Sequence, residues 1–293
     1  MIVDAIERWM RGEYVSTTEQ LERAERFIEG VAEQSWRRIF VDRDKHDAER
    51  PPISGSARWQ CAKHMQHALE RAEKGDKAPR AYNAFWLGDM VEAMVIAQAI
   101  AAGVPVAYPA EDGTQYETSL TLDGDVIRGH VDAVVDDPRY GPTPIEFKSM
   151  NEYRWTKSAR EGVENTFGYV DQLGFYILGM EAKQGLFVGV NKSTGHVFEE
   201  WRKAGEFRRD YYEKQYALAK SGKAAKPKWA TDRFVRGMGG RPSTLEVQDV
   251  RCSYCDFRAH CWPGYEQVMV SGKVQWRKPL SDEEASALKN GTK

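Results

Sequence analysis

The placement of four cysteines restrains this chain more than any other feature. Cys252, Cys255 and Cys261 share the run RCSYCDFRAHC, and Cys61 stands alone far upstream. The N-terminus, MIVDAIERWM, carries acidic residues among its first apolar positions, unlike a secretory signal. A cytoplasmic location is therefore expected, where disulfides are disfavoured. A C-x2-C-x5-C run with one distant partner can instead build a four-thiolate site. Zinc and an iron–sulfur cluster both accept four cysteines, so the spacing leaves the two open.

The remaining composition is that of an ordinary soluble protein, neither disordered nor fibrous. The chain has 293 residues, 41% hydrophobic and 29% charged, enough for a sizeable core. Its longest apolar stretch, Ala93 to Val104, is interrupted by Gln98 and is shorter than a membrane span, so no membrane partner is expected. The formal net charge of -2 is an average of unlike parts. Residues 1–50 hold twelve acidic and nine basic residues, whereas residues 201–241 hold four acidic and twelve basic ones. The basic stretch contains Lys223, Lys226, Lys228, Arg233 and Arg236, interleaved with Tyr216, Trp229 and Phe234. Cations neutralise phosphates and aromatic rings stack on unpaired bases, so these five residues are candidates for contacting DNA. Pro227 and the pair Gly239-Gly240 suggest a mobile loop.

Periodicity predicts helices over Ala24–Phe40, Tyr82–Ala102, Glu164–Met180 and Glu206–Lys220. Ser54 or Ser56 would cap a helix holding Cys61 in its first turns. Strands are expected over Gln115–Leu122 and Val126–Val135 around the turn Asp123-Gly124, then in IEFKSM, Leu186–Val190 and His196–Trp201. In a strand, residues two apart share a face. His130 and Asp132 should then share one side, and Glu146 should lie with Lys148. If the two strands pair, Asp132, Glu146 and Lys148 converge. Two carboxylates beside an ammonium suit Mg²⁺ or Mn²⁺ and a water nucleophile. An isolated E-x-K, by contrast, is ordinarily an exposed charged strand face.

The surrounding motifs carry a resemblance. Gly129-His130-Val131-Asp132-Ala133, followed by Ile145-Glu146-Phe147-Lys148, resembles the core of the PD-(D/E)XK nucleases, in particular their RecB-like branch. Gln172-Leu173-Gly174-Phe175-Tyr176 fits that branch's Q-x-x-x-Y motif. Gly88-Asp89-Met90-Val91-Glu92 fits its upstream G-x-x-x-H or G-x-x-x-E motif, with a glutamate where many members have histidine. The resemblance implies an α/β restriction-endonuclease-like core, a central mixed sheet flanked by helices. It makes Asp132, Glu146, Glu92 and the Phe147 carbonyl ligands of Mg²⁺ or Mn²⁺, and Lys148 the catalytic lysine. Gln172 and Tyr176 would support the metal site or the DNA backbone beside it.

A subset of these nucleases, of the CRISPR-associated, phage and AddB types, carries one cysteine before the core and three after it, ligating a [4Fe–4S] cluster. Cys61, Cys252, Cys255 and Cys261 match that set, and the implied cluster staples the ends of the nuclease region. His260, beside Cys261, reads as a bystander. The resemblance divides the chain into a helical region 1–50, a nuclease domain 51–262 and a tail 263–293. It implies a metal-dependent DNA exonuclease acting on single-stranded ends in recombination, replication or repair. Its setting would be a bacterial or phage-infected cell, with recombination, replication or CRISPR-adaptation proteins as partners. No G-x4-G-K-[ST] motor sequence is present. Two competing readings are an adaptor that binds DNA ends without turnover and a zinc-stabilised endonuclease.

Overall fold

The chain begins with two helices that pack into the body of the protein. In the computed structural model, residues 1–42, 45, 51–77, 79–110, 113–236, 242–270, 273–279 and 281 are described. Helix α1 (Ile2–Met10) buries Ile2 and Ile6, one helical turn apart. Helix α2 (Thr18–Trp36) starts at a capping box in which Thr17 and Gln20 satisfy each other's backbone donors. It runs into a wide turn over Arg37–Val41. Helix α3 (Ala62–Leu69) is preceded by Cys61 itself at the cap position. Ser54 and Ser56, expected to cap it, instead face one another at 3.1 Å.

Helix α4 (Pro79–Ala101) ends before Gly103, whose φ of +77° is the left-handed conformation that stops a helix. By length and composition α4 is apolar enough to cross a membrane. Here Val95, Ile96 and Ile100 are buried with Ile2, Ile6 and Phe27, against Ile145, Phe147, Leu186 and Val188 of the sheet. Burial of each such side chain is worth roughly 1.5–3 kcal/mol.

Strands β1 (Val106–Tyr108), β4 (Ala133–Asp137), β5 (Gly141–Met150), β6 (Gln184–Asn191) and β7 (Val197–Lys203) form the central sheet, in the order β1-β4-β5-β6-β7. All neighbours are antiparallel except β5 and β6. Parallel strands need a crossover. Helices α5 (Glu152–Glu161) and α6 (Tyr169–Gly179) supply it. Helix α6 is shorter than the periodicity predicts, because residues 165–167 make a 3-10 turn and Gly168 sits at φ +82°. The expected mixed α/β core with flanking helices is therefore present.

Strands β2 (Tyr116–Leu122) and β3 (Asp125–Val131) form a separate hairpin. Its two turn residues, Asp123 and Gly124, have φ of +48° and +81°, as the Asp-Gly signal predicts. The predicted continuous strand from Val126 to Val135 is broken at Asp132, where the chain bends out of the hairpin into the central sheet. The bend also breaks the alternation. His130 points to solvent, within 3.8 Å of Glu117, while Asp132 is buried, so the expected shared face of these two residues does not form.

A second buried cluster contains Trp59, Phe175, Tyr176 and Tyr212. Trp59 stacks on Phe175 at 5.5 Å between centroids, and its indole donates to the Gly55 carbonyl at 3.0 Å. Tyr212 belongs to helix α7 (Arg209–Lys220). Strands β8 (Asp232–Arg236) and β9 (Pro242–Gln248) pair. The cysteine run follows, and a hairpin of β10 (Glu266–Val270) and β11 (Lys273–Arg277) lies beyond it.

Candidate active site

Four charged side chains come together where β3 turns into β4. Glu146 pairs with Phe187 across β5 and β6, so its side chain enters the face of the sheet covered by α6 rather than open water. It is fully buried and forms an ion pair with Lys148, two residues further on. Its carboxylate is held by Lys148, lies against Asp132, and has both oxygens shut off from solvent. Asp132 reaches the same point from the bend. Its Oδ2 accepts the Phe147 N–H at 2.9 Å and lies 3.9 Å from Lys148 Nζ. Lys148 Nζ also donates to the Phe147 carbonyl at 3.0 Å and stands 5.4 Å from the centre of the Tyr169 ring.

The electrostatics follow from burial. Loss of water, reinforced by Asp132, pushes the Glu146 carboxyl up to about 8. Burial raises Asp132 as well, against the pull of Lys148 and of the Phe147 N–H. Burial opposes the charge on Lys148, but Glu146 and Asp132 outweigh it and hold the ammonium protonated. Glu92, from α4, is raised well above the usual carboxylate range by burial and by Asp132, which makes it part of the same charged group. Asp89, one turn earlier, accepts from Ser35 and Arg38, so α2 fixes the helix segment that presents Glu92.

Gln172 and Tyr176 lie one turn apart on α6, and Gln172 Nε2 donates to the Tyr176 hydroxyl at 2.8 Å. Tyr176 is buried, and its hydroxyl is held protonated by burial and by the nearby Glu146 and Asp132. The glycine of the G-x-V-D motif has a steric role here. A Cβ on Gly129 would lie 2.9 Å from the Tyr176 ring and 3.1 Å from the Gly55 backbone.

Residues 4–262 match the PD-(D/E)XK nuclease superfamily. The chain belongs to that superfamily. Its members are nucleases, and the fold implies DNA as substrate. Among solved structures the chain is similar to SSO0001, at 15% identity and a TM-score of 0.45, with 80% of this chain and 95% of that chain covered. No curated protein matches.

In this PD-(D/E)XK protein the donor chemistry fits a hard divalent cation: the carboxylates of Asp132, Glu146 and Glu92 are buried or half-buried, beside the Phe147 backbone carbonyl. Among the described residues, no three His, Cys, Asp or Glu side chains stand close enough to hold a metal as drawn.

The four cysteines are free, half-buried and mutually close enough for each thiol to raise Cys61 electrostatically. Burial pushes Cys61 and Cys252 up to about 11. Four desolvated sulfurs suit a zinc ion or an iron–sulfur cluster. Arg58 ties the same two segments together by donating to the carbonyls of Arg251 at 2.7 Å and Tyr254 at 2.6 Å. Two histidines of α3 also reach the sulfurs. His64 Nδ1 lies 3.3 Å from Cys255 Sγ, and His67 Nε2 lies 3.7 Å from Cys261 Sγ. Their three-residue spacing after Cys61 places both on one face of α3, and the returning cysteine run brings the sulfurs to that face. His260 faces the Glu73 carbonyl at 2.8 Å.

The basic stretch is less open than its composition suggests. Lys223, Lys226 and Lys228 are all exposed, and Lys226 also donates to the Cys261 carbonyl at 3.3 Å and covers the Trp262 ring. Arg233 and Arg236 fall in β8, and their side chains lie outside the described residues, as do Phe234 and Gly239-Gly240. Tyr216 is buried and donates to Asp125, and Trp229 is covered by the Arg251 guanidinium at 3.9 Å. Tyr216 is thereby unavailable as a stacking platform, and Arg251 occupies one face of the half-buried Trp229 ring.

Proposed function

We propose that the protein is a metal-dependent DNA exonuclease acting on single-stranded ends. The observation that carries this reading is the fully buried Glu146 carboxylate, crowded against Asp132 and balanced by the Lys148 ammonium. Such a group is costly to leave ionised in a protein interior, and a bound cation offsets that cost. Asp132, Glu146, Glu92 and the Phe147 carbonyl would hold Mg²⁺ or Mn²⁺. Bound there, the ion would polarise a phosphoryl oxygen and acidify a coordinated water. Lys148 contributes a fixed positive charge where negative charge develops on the phosphate. Gln172 holds the Tyr176 hydroxyl in place beside the carboxylates.

Cys61, Cys252, Cys255 and Cys261 would carry a [4Fe–4S] cluster that joins the two ends of the nuclease region. A second reading, structural zinc, is favoured by His64, since zinc accepts imidazole alongside thiolates. Iron and acid-labile sulfide in the purified protein, with a visible absorption band, support the cluster. Stoichiometric zinc without sulfide supports the second reading.

The activity is tested on end-labelled single- and double-stranded DNA with each metal. Wild-type protein should shorten single strands from an end, and Lys148→Ala should not. Absence of cleavage under both metals by protein with its sulfur site filled would overturn the proposal.

A further inference from the structure

A row of aromatic rings leads away from Lys148. Tyr169 stands 5.4 Å from the ammonium, Phe167 lies 6.0 Å from Tyr169, and Tyr254 lies 6.1 Å from Phe167. Tyr254 comes from the cysteine run and is 68% exposed. On the other side of the row, a cavity of about 80 Å³ is lined by Met150, Tyr153, Arg154, Lys157 and Tyr169, among others. Met150 follows Glu146 and Lys148 at the two-residue spacing of β5, so the cavity continues the line of the charged site.

The groups around this path are matched to a nucleic acid strand. The Arg154 guanidinium lies over the Phe167 ring, 4.3 Å from its centre. Lys157 bonds Glu164 at 2.7 Å, and both are partly exposed. Tyr153, on the first turn of α5, is 80% exposed at the rim of this cavity, so its ring is open to a ligand. Cations alongside π-faces that open onto a hydrolytic centre suit unpaired bases and their phosphates better than a duplex, whose bases are already stacked. Neither α5 nor the 165–169 turn belongs to the basic stretch from 201 to 241.

We propose that the row from Tyr169 through Phe167 to Tyr254, flanked by Tyr153, Arg154 and Lys157, is the track that holds the single-stranded end of a DNA substrate beside Lys148. The inference rests on the nuclease reading for its substrate class. It also gives the sulfur site a second consequence: the cysteine run carries Tyr254, so filling that site orders one end of the track.

The test measures binding of a short labelled single-stranded oligonucleotide, without added Mg²⁺ or Mn²⁺, to protein whose sulfur-site metal is verified. Tyr153→Ala and Tyr254→Ala should each weaken binding about fivefold or more, the factor given by the lower end of stacking on one base. Tyr153→Phe and Tyr254→Phe should bind as wild type. Arg154→Gln should lower the slope of log affinity against log salt by about one. Both tyrosines are exposed, so thermal unfolding should be unchanged. Wild-type affinity in both alanine variants and an unchanged salt slope in Arg154→Gln would overturn the track. So would wild-type protein that cleaves duplex DNA while binding no single strand, an outcome that keeps metal-dependent nuclease activity but removes its single-strand preference. Weakened binding in the alanine variants of a protein that cleaves nothing would uphold the track and defeat the nuclease reading.

Discussion

The Asp132 carboxylate accepts the backbone N–H of Phe147 at 2.9 Å, so one side chain both fixes the middle of β5 and offers a charge to the site. The two duties can be separated. Asp132→Asn keeps an acceptor for the Phe147 N–H while removing the charge. Its melting temperature should stay near wild type, and cleavage should drop by about 100-fold or more, as for loss of one preorganised charge at a reacting centre. Asp132→Ala removes the acceptor and leaves a buried donor unpaired, at a further cost of about 1–3 kcal/mol in stability. Equal melting temperatures for the two variants would show that the hydrogen bond does not support the fold.

Glu146 sets a pH dependence whose sign follows from its shift. The carboxyl rises from an ordinary value of 4.5 to about 8 in the folded protein, and Asp132 and Glu92 move the same way. The folded state therefore keeps protons that the unfolded state releases, and stability falls as pH climbs through that window. Lys148 is charged in both states across the window and adds no slope. In chelator, the melting temperature should decline from acid to mildly alkaline pH. Mg²⁺ or Mn²⁺ should flatten the decline, because the cation takes the place of the proton. Glu146→Gln should flatten it without metal. A melting temperature that rises with pH in chelator would contradict this account.

The charged site was largely legible because Glu146 and Lys148 obey the two-residue alternation of a strand, and β5 is regular there. The same rule failed at Asp132, where the chain leaves one sheet for another. Nothing in G-H-V-D-A marks the bend, which depends on the hairpin packing against α6. The histidines were hidden for a different reason. His64 meets Cys255 only because the chain returns from the far side of the fold, and spacing along one helix cannot show that. Tyr216 and Trp229 illustrate the converse. Their positions within a basic stretch suggested stacking on DNA, but Asp125 holds Tyr216 and Arg251 occupies one face of Trp229.

Gly129 should tolerate no side chain. A Cβ there would press on Tyr176 and on the backbone of Gly55, which is itself held by its N–H to the Arg128 carbonyl at 2.9 Å. Gly129→Ala should lower stability by about 1–3 kcal/mol, the usual range for overpacking, and should shift the Tyr176 ring. Gly205, with nothing within 4 Å of its would-be Cβ, is the matched control, and Gly205→Ala should be close to neutral. Unfolding in denaturant of the two variants decides the point, since equal midpoints would remove the steric account.

Arg58 joins residues 58–61 to the cysteine run, the proposed sulfur site would join them a second time, and the two links should separate cleanly. Cys61→Ser should lose bound metal as fully as Cys252→Ser, because three remaining thiolates leave either kind of site incomplete. Arg58→Ala should keep the metal but cost about 1–3 kcal/mol, since it deprives the Arg251 and Tyr254 carbonyls of charged donors. In Cys61→Ser the Arg58 contacts remain, so the run around residue 252 should stay partly docked. In the double variant it should release and become the first site cut in limited proteolysis. Metal analysis read beside the proteolysis pattern distinguishes the two ties. Full metal in Cys61→Ser would exclude Cys61 as a ligand and leave Arg58 as the link between the two segments.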